Sequence, residues 1–117
     1  MIEPQFIEDV FAGVGKVTIR KMFGGQGIYA GDVMFALGHD DTLYVKTDDD
    51  MQADLAALGS TPFIFQMPSK PQPTTTGYWR LPDSALDDPD EATQWAKRAL
   101  AVAKAAWKPV LRKPKAR

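Results

Sequence analysis

Residues 17–47 read VTIRKMFGGQGIYAGDVMFALGHDDTLYVKT. This stretch decides the fold class. Val17 to Phe23 is β-branched and aromatic-rich, and the Gly24-Gly-Gln-Gly27 segment breaks or turns it. Ile28 to Ala30 resumes the strand pattern, Gly31-Asp32 turns it, and Val33 to Leu37 continues. Gly38-His-Asp-Asp41 turns again before Thr42 to Thr47. Short strands joined by Gly and Asp turns predict sequential antiparallel pairing, a β-meander. Leu43, Val45 and Thr47 alternate with Tyr44, Lys46 and Asp48, the pattern of a sheet with one wet face.

Helical signals flank this block. Phe6, Ile7, Val10 and Phe11 recur at helical spacing, which predicts a short helix over Gln5–Phe11 stopped by Gly13 and Gly15. The run Asp48-Asp-Asp50 opens a second short helix through Leu58, with Gly59 as its terminator. Phe63-Ile-Phe65 is a further strand. Residues 68–76 read as a long hairpin connection, and Gly77-Tyr-Trp-Arg-Leu81 as the last strand, closed by Pro82.

The final helix carries the clearest signature. Asp88 stands before Pro89, with Glu91 three residues on, an Asp form of the capping box with Pro at the first helical position. Trp95, Ala96, Ala99, Leu100, Ala103, Ala106 and Trp107 share one face, while Lys97, Lys104 and Lys108 lie along one flank. Pro109 ends or kinks the helix. The order α-βββ(β)-α-ββ-α predicts a two-layer α+β domain, an antiparallel sheet covered by helices on one face. The other sheet face must be wet or covered by another chain, and Tyr29, Phe35 and Tyr44 are the candidates to lie there. Residues 1–108 form one domain in this reading, and 109–117 a basic, disordered tail.

Charge is divided unevenly along the chain. Of 117 residues, 14 are Lys or Arg and 15 are Asp or Glu. Residues 97–117 hold eight of the basic residues and no acid, so residues 1–96 hold six basic residues against all 15 acids. Such asymmetry points to a basic appendage with an anionic partner. The acidic body itself does not suit a nucleic-acid-coating domain.

Composition excludes several chemistries. The chain has no cysteine, so disulfides, thiol catalysis and thiolate zinc sites are ruled out. His39 is the single histidine and lies in a predicted turn beside Asp40 and Asp41. No apolar run approaches the roughly 18 residues of a membrane span, and Met-Ile-Glu-Pro-Gln lacks the features of a signal peptide. A cytoplasmic location is expected.

Glycine and acid motifs have structural readings. Gly13-Val-Gly-Lys16 lacks the spacing and the hydroxyl of a phosphate loop. Gly24 to Gly27 lacks the strand-to-helix setting of a dinucleotide fingerprint and suits a bulge or turn. Asp48–Asp50 with Asp54 lacks the alternating ligands of a calcium loop. Asp87, Asp88, Asp90 and Glu91 match the needs of a helix N-terminus. No catalytic, cofactor or metal site is therefore expected. The candidate contacts for nucleic acid or another partner are Lys97, Lys104, Lys108, Arg112, Lys113, Lys115 and Arg117.

A set of motifs carries a family resemblance. Arg20-Lys-Met-Phe-Gly-Gly25, Gly27-Ile-Tyr29, Met34-Phe-Ala-Leu37 and Leu43-Tyr-Val-Lys46 occur in order, followed by Phe63, Tyr78-Trp-Arg-Leu-Pro82, Leu86-Asp-Asp88 and Trp95. From about Phe6 to Ala106 the chain resembles the N-terminal domain of the TfoX/Sxy competence regulators. The resemblance implies a cytoplasmic bacterial protein, an α+β fold like that of secretion chaperones, and a capacity to dimerise. Full-length relatives promote transcription of DNA-uptake genes with a cyclic-AMP receptor protein, and they carry a second domain resembling helix-hairpin-helix modules. The expected function is thus a non-enzymatic regulatory domain with protein partners, transcription machinery among them, and nucleic-acid contact through the basic tail. One alternative is a homodimeric interaction module binding peptides through an open sheet face or edge. Another is a small-molecule site between the sheet and the Pro-rich hairpin, using Arg20, Lys21, Tyr44 and Arg80.

Overall fold

The fold was analysed on a computed structural model, which describes residues 2–22, 24–65 and 74–106. Among these residues six strands form one antiparallel sheet: β1 (Thr18–Met22), β2 (Gly25–Ala30), β3 (Val33–His39), β4 (Thr42–Lys46), β5 (Pro62–Phe65) and β6 (Thr74–Arg80). Their spatial order is β1-β2-β3-β4-β6-β5. The first four strands are the meander expected from residues 17–47. The chain then leaves β4 through a helix, skips one strand position and returns as β5, and β6 fills the gap between β4 and β5.

Among the described residues four helices accompany the sheet: α1 (Pro4–Val10), α2 (Asp49–Ala57), α3 (Asp83–Leu86) and α4 (Pro89–Ala106). A 3₁₀ turn over Ala12–Val14 follows α1. The sequence reading did not anticipate α3. It is a single turn begun after Pro82, whose fixed φ of −59° suits the residue before a helix.

One core holds both layers together. Cross-strand partners Ile19, Ile28, Ala36, Val45 and Trp79 share one sheet face. Ile7 and Val10 of α1, Met51 and Leu55 of α2, Ala85 of α3, and Ala92, Trp95, Ala96, Ala99 and Ala103 of α4 pack in that same core. The alanine stripe lets α4 approach the sheet closely, and Trp95 supplies the bulk.

Capping occurs where the acids predicted it. Asp48 Oδ1 accepts from Met51 N at 2.9 Å at the start of α2. Asp88 Oδ1 accepts from Asp90 N at 3.0 Å and Glu91 N at 3.2 Å at the start of α4. Glu91 does something else than close a capping box. Its carboxylate accepts from Ser84 Oγ at 2.9 Å and from Trp95 Nε1 at 3.3 Å, so it satisfies the polar end of the core tryptophan.

Several boundaries differ from the sequence reading. The turn after β1 is confined to the region of Gly24, and Gly25, Gln26 and Gly27 are strand residues. A side chain at Gly25 would run into the Gly38 carbonyl of β3, so glycine is there for close backbone approach. β6 begins at Thr74, inside the stretch assigned to the hairpin connection, and ends at Arg80. Residues 66–73 of that connection lie outside the described residues, as do Trp107 and the whole of 109–117. Ala106, assigned to the core face of α4, is exposed.

Phe35 also departs from expectation. A bulge between Ile28 and Tyr29 of β2 shifts the register, so that Ile28 pairs with Ala36 but Tyr29 pairs with Met34. Phe35 is the extra residue, and both it and Ala36 turn to the helix side. Its ring meets Phe11 edge-on at 5.2 Å and is fully buried. Alternation counted back from Leu37 would have placed it on the open face, whereas counted forward from Val33 it falls on the helix side.

Candidate functional site

The sheet face opposite the helices is the candidate site. Among the described residues the end of α4 borders it, where Ala103 and Ala106 line a groove with its second row. Register puts Arg20, Gly27, Leu37, Tyr44 and Arg80 in one row across β1, β2, β3, β4 and β6. That row spans about 19 Å from end to end at 4.7–4.9 Å per strand. A second row holds Tyr29, Met34, Lys46 and Tyr78, which line one open groove together with Asp32 and the end of α4 at Ala103 and Ala106.

The side chains on this face are interleaved. Gly27 lies beneath Met22, Tyr29 and Met34: a Cβ there would stand 2.6 Å from the Met22 sulfur and 3.1 Å from the Tyr29 ring. The missing side chain lets the three larger ones close over the strand. The Arg20 guanidinium sits 5.1 Å from the centroid of the Tyr29 ring, and the Lys46 ammonium 5.2 Å from that of Tyr78. Tyr44 and Phe63 tilt against each other at 4.9 Å, and His39 meets Phe63 at 5.1 Å. Tyr29, Met34, Leu37, Tyr44, Phe63 and Tyr78 are all partly exposed. Burial, aided by the neighbouring Tyr29 hydroxyl, pushes the Tyr78 phenol up to about 12.

The electrostatics of the face are one-sided. None of the 15 Asp and Glu residues falls within the six strands, whereas Arg20, Lys21, Lys46 and Arg80 do. Acids cap helices and make turns, roles that keep them off a pleated surface. Arg20, Lys46 and Arg80 project from the open face. Arg80 is bound to Asp83 at 2.8 Å, on the rim. Arg20 and Lys46 carry no such ion pair among the described residues.

The residues predicted as contacts fall in two groups. Lys97 and Lys104 are exposed on the outer side of α4. Lys108, Arg112, Lys113, Lys115 and Arg117 lie outside the described residues. Arg98, between the first two lysines in sequence, belongs to the fold instead: its guanidinium pairs with Asp54 at 3.0 Å and stacks 5.0 Å from the Trp95 ring centroid.

Three of the four residues suggested for a small-molecule site share the open face, but they are spread along it. Arg20 and Arg80 end opposite sides of the row, with Tyr44 between. Lys21 has the opposite parity and pairs with Gln26. The clefts beside Arg80 contain none of Arg20, Lys21 or Tyr44.

His39, Asp40 and Asp41 border a small cleft with Gly24, Gly25 and Gly38. Asp40 and Asp41 both have positive φ, 53° and 62°, as a two-residue hairpin turn of the mirror-image type requires. No cluster of three or more His, Cys, Asp or Glu suited to a metal ion occurs among the described residues. No helix among them is long and apolar enough to cross a membrane.

Tyr29 and Tyr44 of the open face were legible as candidate aromatics, and Arg20 and Arg80 as polar groups of a candidate small-molecule site. That these two cations end opposite sides of one row is set by strand order alone. No curated protein matches the chain. The TfoX N-terminal domain family matches it over residues 9–103, which takes in every strand and leaves out only most of α1 and the last three residues of α4.

Proposed function

The chain belongs to the TfoX N-terminal domain family, and from that premise we propose that it is a non-enzymatic regulatory domain of a bacterial cytoplasm. It acts through protein contacts, in the manner of TfoX-type co-regulators of DNA-uptake genes. The observation that carries this reading is the open sheet face. A surface rich in Tyr, Met and Arg, half exposed and with no carboxylate in its strands, has the make-up of the centre of a protein interface. A solvated sheet face of a monomer would instead carry mixed charges. Lys97 and Lys104, on the other side of the molecule, are free to add nucleic-acid contact next to the basic segment beyond them.

The test is transcriptional. Deleting the coding sequence from its host should lower DNA-uptake transcripts, and re-expression of the native chain should restore them. A folded Tyr44→Ser variant should fail to do so. Unchanged transcripts on deletion would overturn the regulatory reading.

A further inference from the structure

We propose that the open sheet face binds a protein segment in which acidic residues alternate with apolar or aromatic ones. This deepens the regulatory reading above and rests on it. The chemistry of the face sets the partner. Its floor is Met22, Met34, Leu37 and Tyr44, which offers apolar burial at about 25 cal/mol per Å². Its charges are Arg20 and Lys46, each held over a tyrosine ring and so oriented before any partner arrives. A segment with apolar side chains over the floor and a carboxylate opposite each cation satisfies both. An extended or helical segment both present such an alternation, so the inference concerns its chemistry rather than its backbone.

Charge separates this partner from two others. A single-stranded nucleic acid would find rings to stack on. However, it carries a charge at every nucleotide, and those beyond the face would run into the acidic surroundings, since residues 1–96 hold 15 acids against six basic residues. A protein segment can restrict its carboxylates to the places where cations wait. A second copy packed face to face about a two-fold axis would set Arg20 and Lys46 against the same cationic surface. Asp32 at one end of the groove and Asp83 on the rim at Arg80 bound the positive zone.

The experiment uses the full 117-residue chain and a short fluorescent peptide alternating Glu with Leu and Phe. Anisotropy at low salt measures affinity, and amide shift mapping locates the site. Binding should be at least tenfold tighter than for the same peptide with Lys in place of Glu, and the shifted amides should cluster on β2, β3 and β4. Arg20→Glu and Lys46→Glu should each weaken binding severalfold. Lys21→Glu, an equal charge change at an exposed position of opposite parity, should not. Tyr44→Ser tests the apolar floor, and thermal melts confirm that each variant is folded.

Absent binding, equal affinity for the Lys peptide, or shifts confined to other surfaces would overturn the inference. So would preference for an oligothymidylate over the acidic peptide, or sedimentation showing the face already occupied by a second copy. The parent reading fails separately. If the peptide is ignored but Arg20→Glu still abolishes transcriptional complementation, the regulatory function stands and the acidic segment falls.

Discussion

Gln26 grips the backbone of Ile2 from both sides. Its Oε1 accepts from Ile2 N at 3.0 Å, and its Nε2 donates to Ile2 O at 2.9 Å. The carboxamide thus imitates a neighbouring strand, and it is itself only 4% exposed. A buried amide in β2 is tolerated because both of its ends are satisfied by a segment 24 residues away. Gln26→Ala leaves two backbone groups of Ile2 without these partners. Urea denaturation should show a loss of about 1–3 kcal/mol, and hydrogen exchange at Ile2 should accelerate far more than at β3 or β4.

Gly13 marks a second close approach. A Cβ at this position would stand 2.7 Å from the Cβ of Thr93 in α4, closer than such atoms come. The 3₁₀ turn therefore rests directly on the helix. Gly13→Ala should destabilise by about 1–3 kcal/mol through overpacking. Adding Thr93→Ala should recover only part of this, because the Cβ remains. A double-mutant cycle measured by denaturation would give the coupling.

Trp95 is the largest side chain that α4 puts into the core, with its indole N–H on Glu91. Trp95→Ala should cost about 3–5 kcal/mol. Loss of the cap in Asp88→Ala should cost about 1 kcal/mol. Asp54→Ala removes a pair whose side chains are 59% and 40% exposed, and should change stability by less than about 1 kcal/mol. Thermal melts of the three variants should rank in that order.

Tyr78 predicts an alkaline instability. Its phenol is raised from 10.0 to about 12 because burial, with Tyr29 beside it, disfavours the phenolate. The folded state therefore holds this proton more tightly than the unfolded state. The corresponding stability is intact below pH 10 and is lost as pH climbs from there to about 12. The expected loss is on the order of 2 kcal/mol, given that a two-unit shift is worth about 2.7 kcal/mol before screening. Tyr78→Phe should flatten the fall of melting temperature over that interval. Absorbance titration of the tyrosines should lose its highest-pH step in the variant.

The predictions differ in how much of them was visible in the amino-acid sequence. Asp88, Pro89 and Trp95 announced α4 because capping and helical periodicity are local. Asp48 announced α2 for the same reason. Leu43 and Val45 alternate with Tyr44 and Lys46, and in the structure the first pair is buried and the second partly exposed. Alternation breaks between Phe35 and Ala36, both on the helix side, because β3 carries one extra residue there. It could not have shown the bulge, since a bulge is a relation between two strands. The glycines of 24–27 suit a bulge or a turn in sequence, because glycine signals both a turn and a close approach, and only the neighbouring strand tells which.

What the sequence by itself determined is every strand and every α-helix but α3, the α+β class, the caps, and a family resemblance that the match over residues 9–103 bears out. These depend on interactions within a few residues, or on motifs that survive in one dimension. What only the tertiary structure decided is the open face. The strand order carries β6 between β4 and β5, and this sets Arg80 beside Tyr44 and Tyr78 beside Lys46. The uneven charge along the chain pointed to its basic end. Folding produced a second, shorter-range separation by leaving every carboxylate outside the strands. The physical reason is common to both: backbone pairing fixes which distant side chains become neighbours, and no local pattern encodes that choice.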